Sequence, residues 1–328
     1  MLKSSRGFFS VLLKASEKRI GHHASLFLTN MEIPVFCYHN ALADGLEKDL
    51  AFLARNGYET LLASEVVDVL TGARPAPDRA VALTFDDGLS SLETVGLPLF
   101  ERYGAKATIF AITGLTSEGR TDPTGSGDLF RLLGWDNLRT LQDSGLVEIG
   151  SHGHRHNRVH VVAKDGPPVV VADYDRLYDV PVPYTEACDA AAIRAVDGTA
   201  SRPSLQLLAA DKVLVDGELA AAAPLVLEDL RRSTRALRDR LGIERVHLCL
   251  PQGGGTEAVP DLAREADMES VFWSRRDDRS ENRPGDDPYR IVRRKHDFTR
   301  RLPGRGRRSA ASVVLTKVRR RLTSDPWV

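Results

Sequence analysis

From about residue 33 the chain alternates short apolar runs with amphipathic stretches of helical period, and this alternation constrains its fold more tightly than any other feature. A buried strand followed by a helix that covers it is the unit from which parallel sheets and barrels are built. The run IPVFCYH predicts a first strand. LEKDLAFLARNG predicts a helix with Leu46, Leu50, Leu53 and Ala54 on one face and Gly57 as its stop. SEVVDVLTG predicts a second helix, with Ser64 as N-cap and Gly72 as terminator. AVALTF, GLPLFERYG, AKATIFAI, DNLRTLQDSG and LVEIG continue the alternation.

After His160 the rhythm breaks. Residues 161–225 hold short β-type runs (VVVAD, KVLVDGEL) with proline-rich and Asp-Gly turns, which reads as an insertion. The pattern then resumes with LEDLRRSTRALRDRLG, VHLCL, VPDLAREADM, SVFWS and YRIVR. Seven or eight strands favour an α/β fold of the distorted (β/α) barrel type over an open sheet. The expected organisation is a helical extension over 1–32, a barrel over 33–298 interrupted at about 161–225, and a basic tail over 299–328.

Composition narrows the function classes. Lys plus Arg and Asp plus Glu both total 45, so no bulk charge recommends a nucleic acid partner. The charge is uneven, with thirteen Lys or Arg against two Asp from Arg290 onward. Such a tail suits either a solvated end or a peripheral contact with anionic lipid. Cys37, Cys188 and Cys249 are too scattered for a disulfide framework. Lys14, Glu17 and Lys18 interrupt the N-terminal apolar patch before a signal segment is complete, and no run reaches the roughly 18 apolar residues of a membrane span. The expectation is a cytoplasmic protein, membrane-peripheral at most. The pattern sets no oligomeric state.

Two motifs carry chemistry. LTFDDG ends a strong strand with adjacent carboxylates, Asp86 and Asp87, which repel unless a cation stands beside them. Barrel active sites are built at that strand end. GSHGHRHN follows the strand LVEIG and packs three of the nine histidines into five residues. In a helix His152 and His156 would share a face, one turn apart, and could chelate one ion while His154 points elsewhere. One Asp with two His leaves coordination positions open for water and substrate, which implies catalysis rather than a structural site. Zinc is the first choice of divalent ion, other first-row ions being compatible, and the second acid is then free to act as general base.

LTFDDG followed by SHGHRH, in that order and at those strand ends, resembles the polysaccharide deacetylase family, also called the NodB-homology or carbohydrate esterase 4 family. The resemblance spans roughly residues 33–160 and 226–295. It implies a metal-dependent hydrolase that removes an acetyl group from an N-acetylated amino sugar, with Asp86 as base and Asp87, His152 and His156 as metal ligands. HLCLPQGGG is similar to the family's third motif: Pro251 and Gly253 match, while Gln252 replaces the usual aromatic residue. There a backbone N–H stabilises the oxyanion, and a backbone group survives the replacement. The family's last motif, Leu-x-x-His, is missing, since the late His296 sits in RRKHDF. IPVFCYHN instead resembles the permuted layout of the poly-N-acetylglucosamine-type exopolysaccharide deacetylases. The resemblance implies His39 as general acid, with Tyr38 a lesser site candidate.

Two other readings of the residues are a carbohydrate-binding relative with weak turnover, suggested by Gln252 and the missing motif, and an amidohydrolase of the same fold acting on a non-sugar amide. The insertion, with Tyr174, Tyr178 and Tyr184, is expected at the rim of the site, where tyrosines could stack on sugar rings or pack a small sheet.

Overall fold

A strand covered on both faces must be apolar at successive positions, and Ala80–Asp87, the longest strand, is buried at every residue. It belongs to a computed structural model that describes residues 32–120, 131–156, 158–162, 169–171, 200–203, 212–215, 218–251, 255–274, 276, 279–313 and 315–316. The first half of the barrel runs β1 (Val35–Tyr38), α1 (Ala43–Arg55), β2 (Glu59–Leu61), α2 (Ala63–Thr71), β3 (Ala80–Asp87), α3 (Leu97–Tyr103), β4 (Ala107–Ala111), α4 (Trp135–Asp143) and β5 (Val147–Ser151). The second half runs α5 (Ala222–Leu241), β11 (Val246–Cys249), α6 (Val259–Glu265), β12 (Met268–Trp273), β13 (Ile291–Val292) and β14 (Arg294–Lys295).

Parallel pairing follows the order β13, β12, β11, β5, β4, β3, β1, β14. The two ends of that path are consecutive in the chain. Val292 pairs with Trp273 on one side and Arg294 with Phe36 on the other, so one short segment all but closes the barrel. Arg293 stands at that junction.

Alternation along the strands divides the core in two. Val35, Ala82, Phe110, Cys249, Phe272 and Ile291 pack with Val66 and Leu70 of α2. Phe36, Leu83, Phe85, Ile109, Ile149 and Leu248 pack outward against helix residues such as Leu50, Phe100, Leu138 and Leu237. Helix α2 therefore packs with the barrel interior. Its capping differs from the sequence expectation: Ser64 lies inside the helix, the N-cap position is Leu62, whose apolar side chain accepts nothing, and Glu65 Oε2 accepts the Leu62 N–H at 2.9 Å. The N–H of Ala63 donates to Thr108 Oγ1 at 2.8 Å and that of Ser64 to Glu148 Oε2 at 3.0 Å. Strand side chains near the N-terminal end of the barrel thus serve the two N–H groups that the local Glu65 bond leaves over, because this helix start lies where a tertiary acceptor can reach it. Gly72 does terminate the helix, at φ +79°.

The insertion forms a separate five-stranded sheet, β6 (Arg158–Val162), β7 (Val169–Val171), β8 (Ala200–Pro203), β9 (Lys212–Val215) and β10 (Glu218–Ala221), ordered β10, β9, β7, β6, β8. It begins two residues after His156 and runs directly into α5, which starts at Ala222, before the LEDLRR stretch. Packing continues beyond residue 298: Thr299 is buried, and Tyr58 donates to the Pro303 carbonyl at 2.8 Å. Residues 1–31 of the expected N-terminal extension, residues 314 and 317–328 of the basic tail, Cys188 and the insertion's three tyrosines lie outside the described residues. Among the described residues no helix is long and apolar enough to cross a membrane.

Candidate active site

Strand β3 delivers Asp86 and Asp87 to the C-terminal end of the barrel, and its pleat turns them to different neighbours. Asp87 ends the strand at φ +71°, followed by Gly88 at φ +75°, so the chain turns sharply. On β5, Gly150 permits close approach: a Cβ there would lie 2.8 Å from the Phe110 ring and 2.9 Å from the His247 carbonyl oxygen. The strand continues into His152, whose N–H donates to the Ala111 carbonyl at 2.8 Å.

The segment carrying His152 and His156 is an irregular loop. This corrects the helical geometry on which the four-residue spacing was first read. Gly153 at φ +80° and His156 at φ +50° curl the loop so that the two rings meet at 4.7 Å between centroids. Among the described residues only Asp87, His156 and Asp267 are non-glycine positions with positive φ. Two of the three thus belong to one cluster, the kind of place where backbone strain costing on the order of 1–3 kcal/mol persists for function.

His152 Nε2 and His156 Nε2 each lie 3.6 Å from the same Asp87 Oδ1, and all three residues are buried. That separation is long for a hydrogen bond. Two ligand atoms about 2.1 Å from one ion at the tetrahedral angle lie about 3.4 Å apart. His152 Nδ1 sits 2.9 Å from the Cys249 carbonyl, so Nδ1 carries the proton and the Nε2 lone pair faces Asp87. Burial, then the neighbouring His152, push the His156 imidazole down to about 4, leaving it neutral with a lone pair to offer. The donor set therefore fits a divalent cation, and these ligand atoms all lie within 4.8 Å of one another.

Asp86 has other company. Arg293 grips it with both arms, Nη1 to Oδ1 at 2.6 Å and Nη2 to Oδ2 at 2.9 Å. The thiols of Cys37 and Cys249 each donate to it at 3.5 Å. Burial alone would raise the Asp86 carboxyl, but the Arg293 charge, with His152, the Arg293 hydrogen bonds and His39 adding, holds it well below the usual carboxylate range. Burial pushes both thiols up, so they act as neutral donors. Sequence reading missed Arg293 because it lies in the run RIVRRK, where one buried guanidinium looks like its solvated neighbours. The usable signal was the apolar pair Ile291–Val292, which marks a strand whose next residue sits at the barrel rim.

The remaining candidates separate. His39 is half-buried just beyond β1, near enough for its charge to act on Asp86. Tyr38 is not brought to the carboxylates. Cys37 turns toward Asp86, and Tyr38, one residue on, turns outward to stack on Phe85 and to bond Asp49 Oδ2 at 3.0 Å and Thr299 Oγ1 at 2.8 Å. Pro251 is buried beyond β11, while Gln252 and Gly253 lie outside the described residues. His154 does turn aside, its Nδ1 meeting Thr113 Oγ1 at 3.0 Å.

Comparison with known proteins decides what such a barrel is. The polysaccharide deacetylase family profile matches residues 73–210, a stretch that includes both carboxylates and both imidazoles. This chain carries a polysaccharide deacetylase domain. The poly-beta-1,6-N-acetyl-D-glucosamine N-deacetylase of Escherichia coli (strain K12) is 28% identical over 111 residues, which span 33% of this chain and 16% of that protein. The match therefore covers well under two thirds of that relative's length. The structure of IcaB from Ammonifex degensii superposes on the deacetylase domain with a TM-score of 0.57 and 20% identity, covering 88% of this chain and 96% of that one. A de-N-acetylase from Aggregatibacter actinomycetemcomitans gives 0.58 and 19%, covering 80% and 94%. At such identities the likeness establishes the fold.

Proposed function

We propose that the deacetylase domain hydrolyses the acetamide of an N-acetylated amino sugar within a glycan or glycoconjugate, with Asp87, His152 and His156 holding a divalent ion, zinc in the first instance. The observation that carries this reading is the convergence of two imidazole nitrogens, each 3.6 Å away, on one buried carboxylate oxygen. The family match and the activity named for the Escherichia coli relative support the substrate class. The ion would supply Lewis-acid polarisation of the acetamide carbonyl and acidify a water beside it.

The chain's own residues set the proton path. Asp86 is the base, taking the proton of the attacking water. The Arg293 fork keeps it ionised, and protonating it would leave a buried guanidinium without its counter-charge, so the proton is passed on rather than retained. His39, at the end of β1, donates to the departing amine. Acetate and a free amino group leave.

Acetate release from a panel of N-acetylated sugars, oligosaccharides and lipid-linked glycans, with a metal-stripped control, tests the reading. Asp86→Asn should slow release on the order of 10²-fold or more. Undiminished release by the stripped protein, or by the Asp86→Asn variant, would refute it.

A further inference from the structure

The loop that carries the two imidazoles is held from one side by helix α5. Asp229 of α5, 1% exposed, accepts the His154 N–H at 2.8 Å on Oδ2 and the Arg155 N–H at 3.0 Å on Oδ1. One turn further on, the fully buried Ser233 meets Ser151 Oγ at 2.7 Å and Thr113 Oγ1 at 3.0 Å, and Ser151 Oγ in turn accepts the Gly153 N–H at 3.0 Å. The helix thus binds backbone donors on the two residues immediately before His156.

That placement matters because the loop has no periodic hydrogen bonding to keep its shape, and His156 sits at φ +50°. Asp229 supplies acceptors for two adjacent N–H groups in a buried position, where each unpartnered donor costs about 1–3 kcal/mol. The same carboxylate spans the neck of the insertion, since the five-stranded sheet leaves the barrel after His156 and re-enters it at the start of α5. The Gly153 and His154 carbonyls are tied to the Thr113 and Gly114 N–H groups at 3.2 and 2.9 Å, while the next amide N–H groups, of His154 and Arg155, are met by Asp229.

We propose that Asp229 is a positioning residue for the metal-binding loop, fixing His156 against Asp87 by clamping the His154 and Arg155 amides to the neck of the insertion. This rests on the reading of Asp87, His152 and His156 as ligands. Outer partners that orient ligands are commonly worth 10- to 100-fold in metal affinity.

The full chain, stripped of metal, should be titrated with Zn²⁺ against a chromophoric chelator and with Co²⁺ by visible absorption. Asp229→Ala should weaken Zn²⁺ binding by about 10- to 100-fold and change the Co²⁺ absorption envelope. Asp229→Asn, which keeps one acceptor oxygen and nearly the same shape, should fall between it and the unaltered chain, and carries the comparison should the alanine variant fail to fold. Thr234→Ala removes a different α5 contact, the 2.9 Å bond to the Ala266 carbonyl, and should leave both readouts unchanged. Unaltered affinity and spectrum in the Asp229 variants would overturn the proposal, as would an equal loss in Thr234→Ala. If His156→Ala binds Zn²⁺ as tightly as the unaltered chain, the ligand assignment itself fails, and the positioning role falls with it.

Discussion

At the N-terminal end of the barrel, Glu148 accepts the Ser64 N–H and lies 3.5 Å from His247 Nε2, while His247 Nδ1 meets Ser270 Oγ at 2.9 Å. At the C-terminal end, two imidazoles stop 3.6 Å short of one Asp87 oxygen. Both clusters are made of histidine and carboxylate, with Glu148 half-buried and Asp87 buried, yet their partners differ. Near α2 the Ser64 N–H donates to the carboxylate and a serine hydroxyl meets the imidazole, and burial, which would raise Glu148, is outweighed by its His247 partner so that the carboxyl stays low. At the rim, lone pairs face a carboxylate, an arrangement that a cation completes. Residue type alone does not distinguish the two clusters; the partners gathered around each carboxylate do.

The largest test of that contrast is Asp87→Asn, which should abolish metal-dependent acetate release and Zn²⁺ binding while the thermal unfolding midpoint of the metal-free protein stays near that of the unaltered chain. Retained binding would mean that the rim cluster is no more a ligand set than the lower one. Next comes Arg293→Met. Removing one partner of a buried pair costs on the order of 3–5 kcal/mol, read by denaturant unfolding. Because Arg293 lowers the Asp86 carboxyl, the acidic limb of the rate profile should also move to higher pH.

Asp49, a buried carboxylate outside the barrel wall, sharpens the comparison through pH. Burial, opposed by Arg300, pushes its carboxyl up to about 6 from an ordinary 3.8. A raised acid favours the folded state when protonated, so its contribution is full below about pH 4 and lost as pH rises through 6. Relative to Asp49→Asn, the unaltered chain should therefore gain up to about 3 kcal/mol between pH 7 and pH 4. A constant difference across that range would show that Asp49 does not titrate there. The smallest effect is expected for Glu148→Gln: about 1–3 kcal/mol of stability from the disturbed acceptor, with Zn²⁺ affinity unchanged. A loss of Zn²⁺ affinity would erase the distinction between the two ends.

The site was legible where chemistry and position coincide in the chain. Asp86 and Asp87 stand together at a strand end, and His152 and His156 are a short loop apart after another, so composition and spacing exposed them. Arg293 and Asp229 were hidden because a guanidinium in RIVRRK and a carboxylate in LEDLRRST look solvated until a neighbouring element buries them. The geometry of the imidazole pair was not legible either, since four-residue spacing suits a helix and equally a loop curled by Gly153.

By itself the sequence determined the alternation that makes a barrel, the two motifs and their order, because strand and helix periods and local reactive spacings are properties of nearby residues. Tertiary structure alone decided which acid faces the imidazoles and which faces Arg293, that a strand carboxylate meets the start of α2, and that Asp229 of α5 holds the loop carrying the two imidazoles. Those outcomes depend on which distant side chains are buried together, and burial sets the partner, the charge state and the direction of every proton in the site.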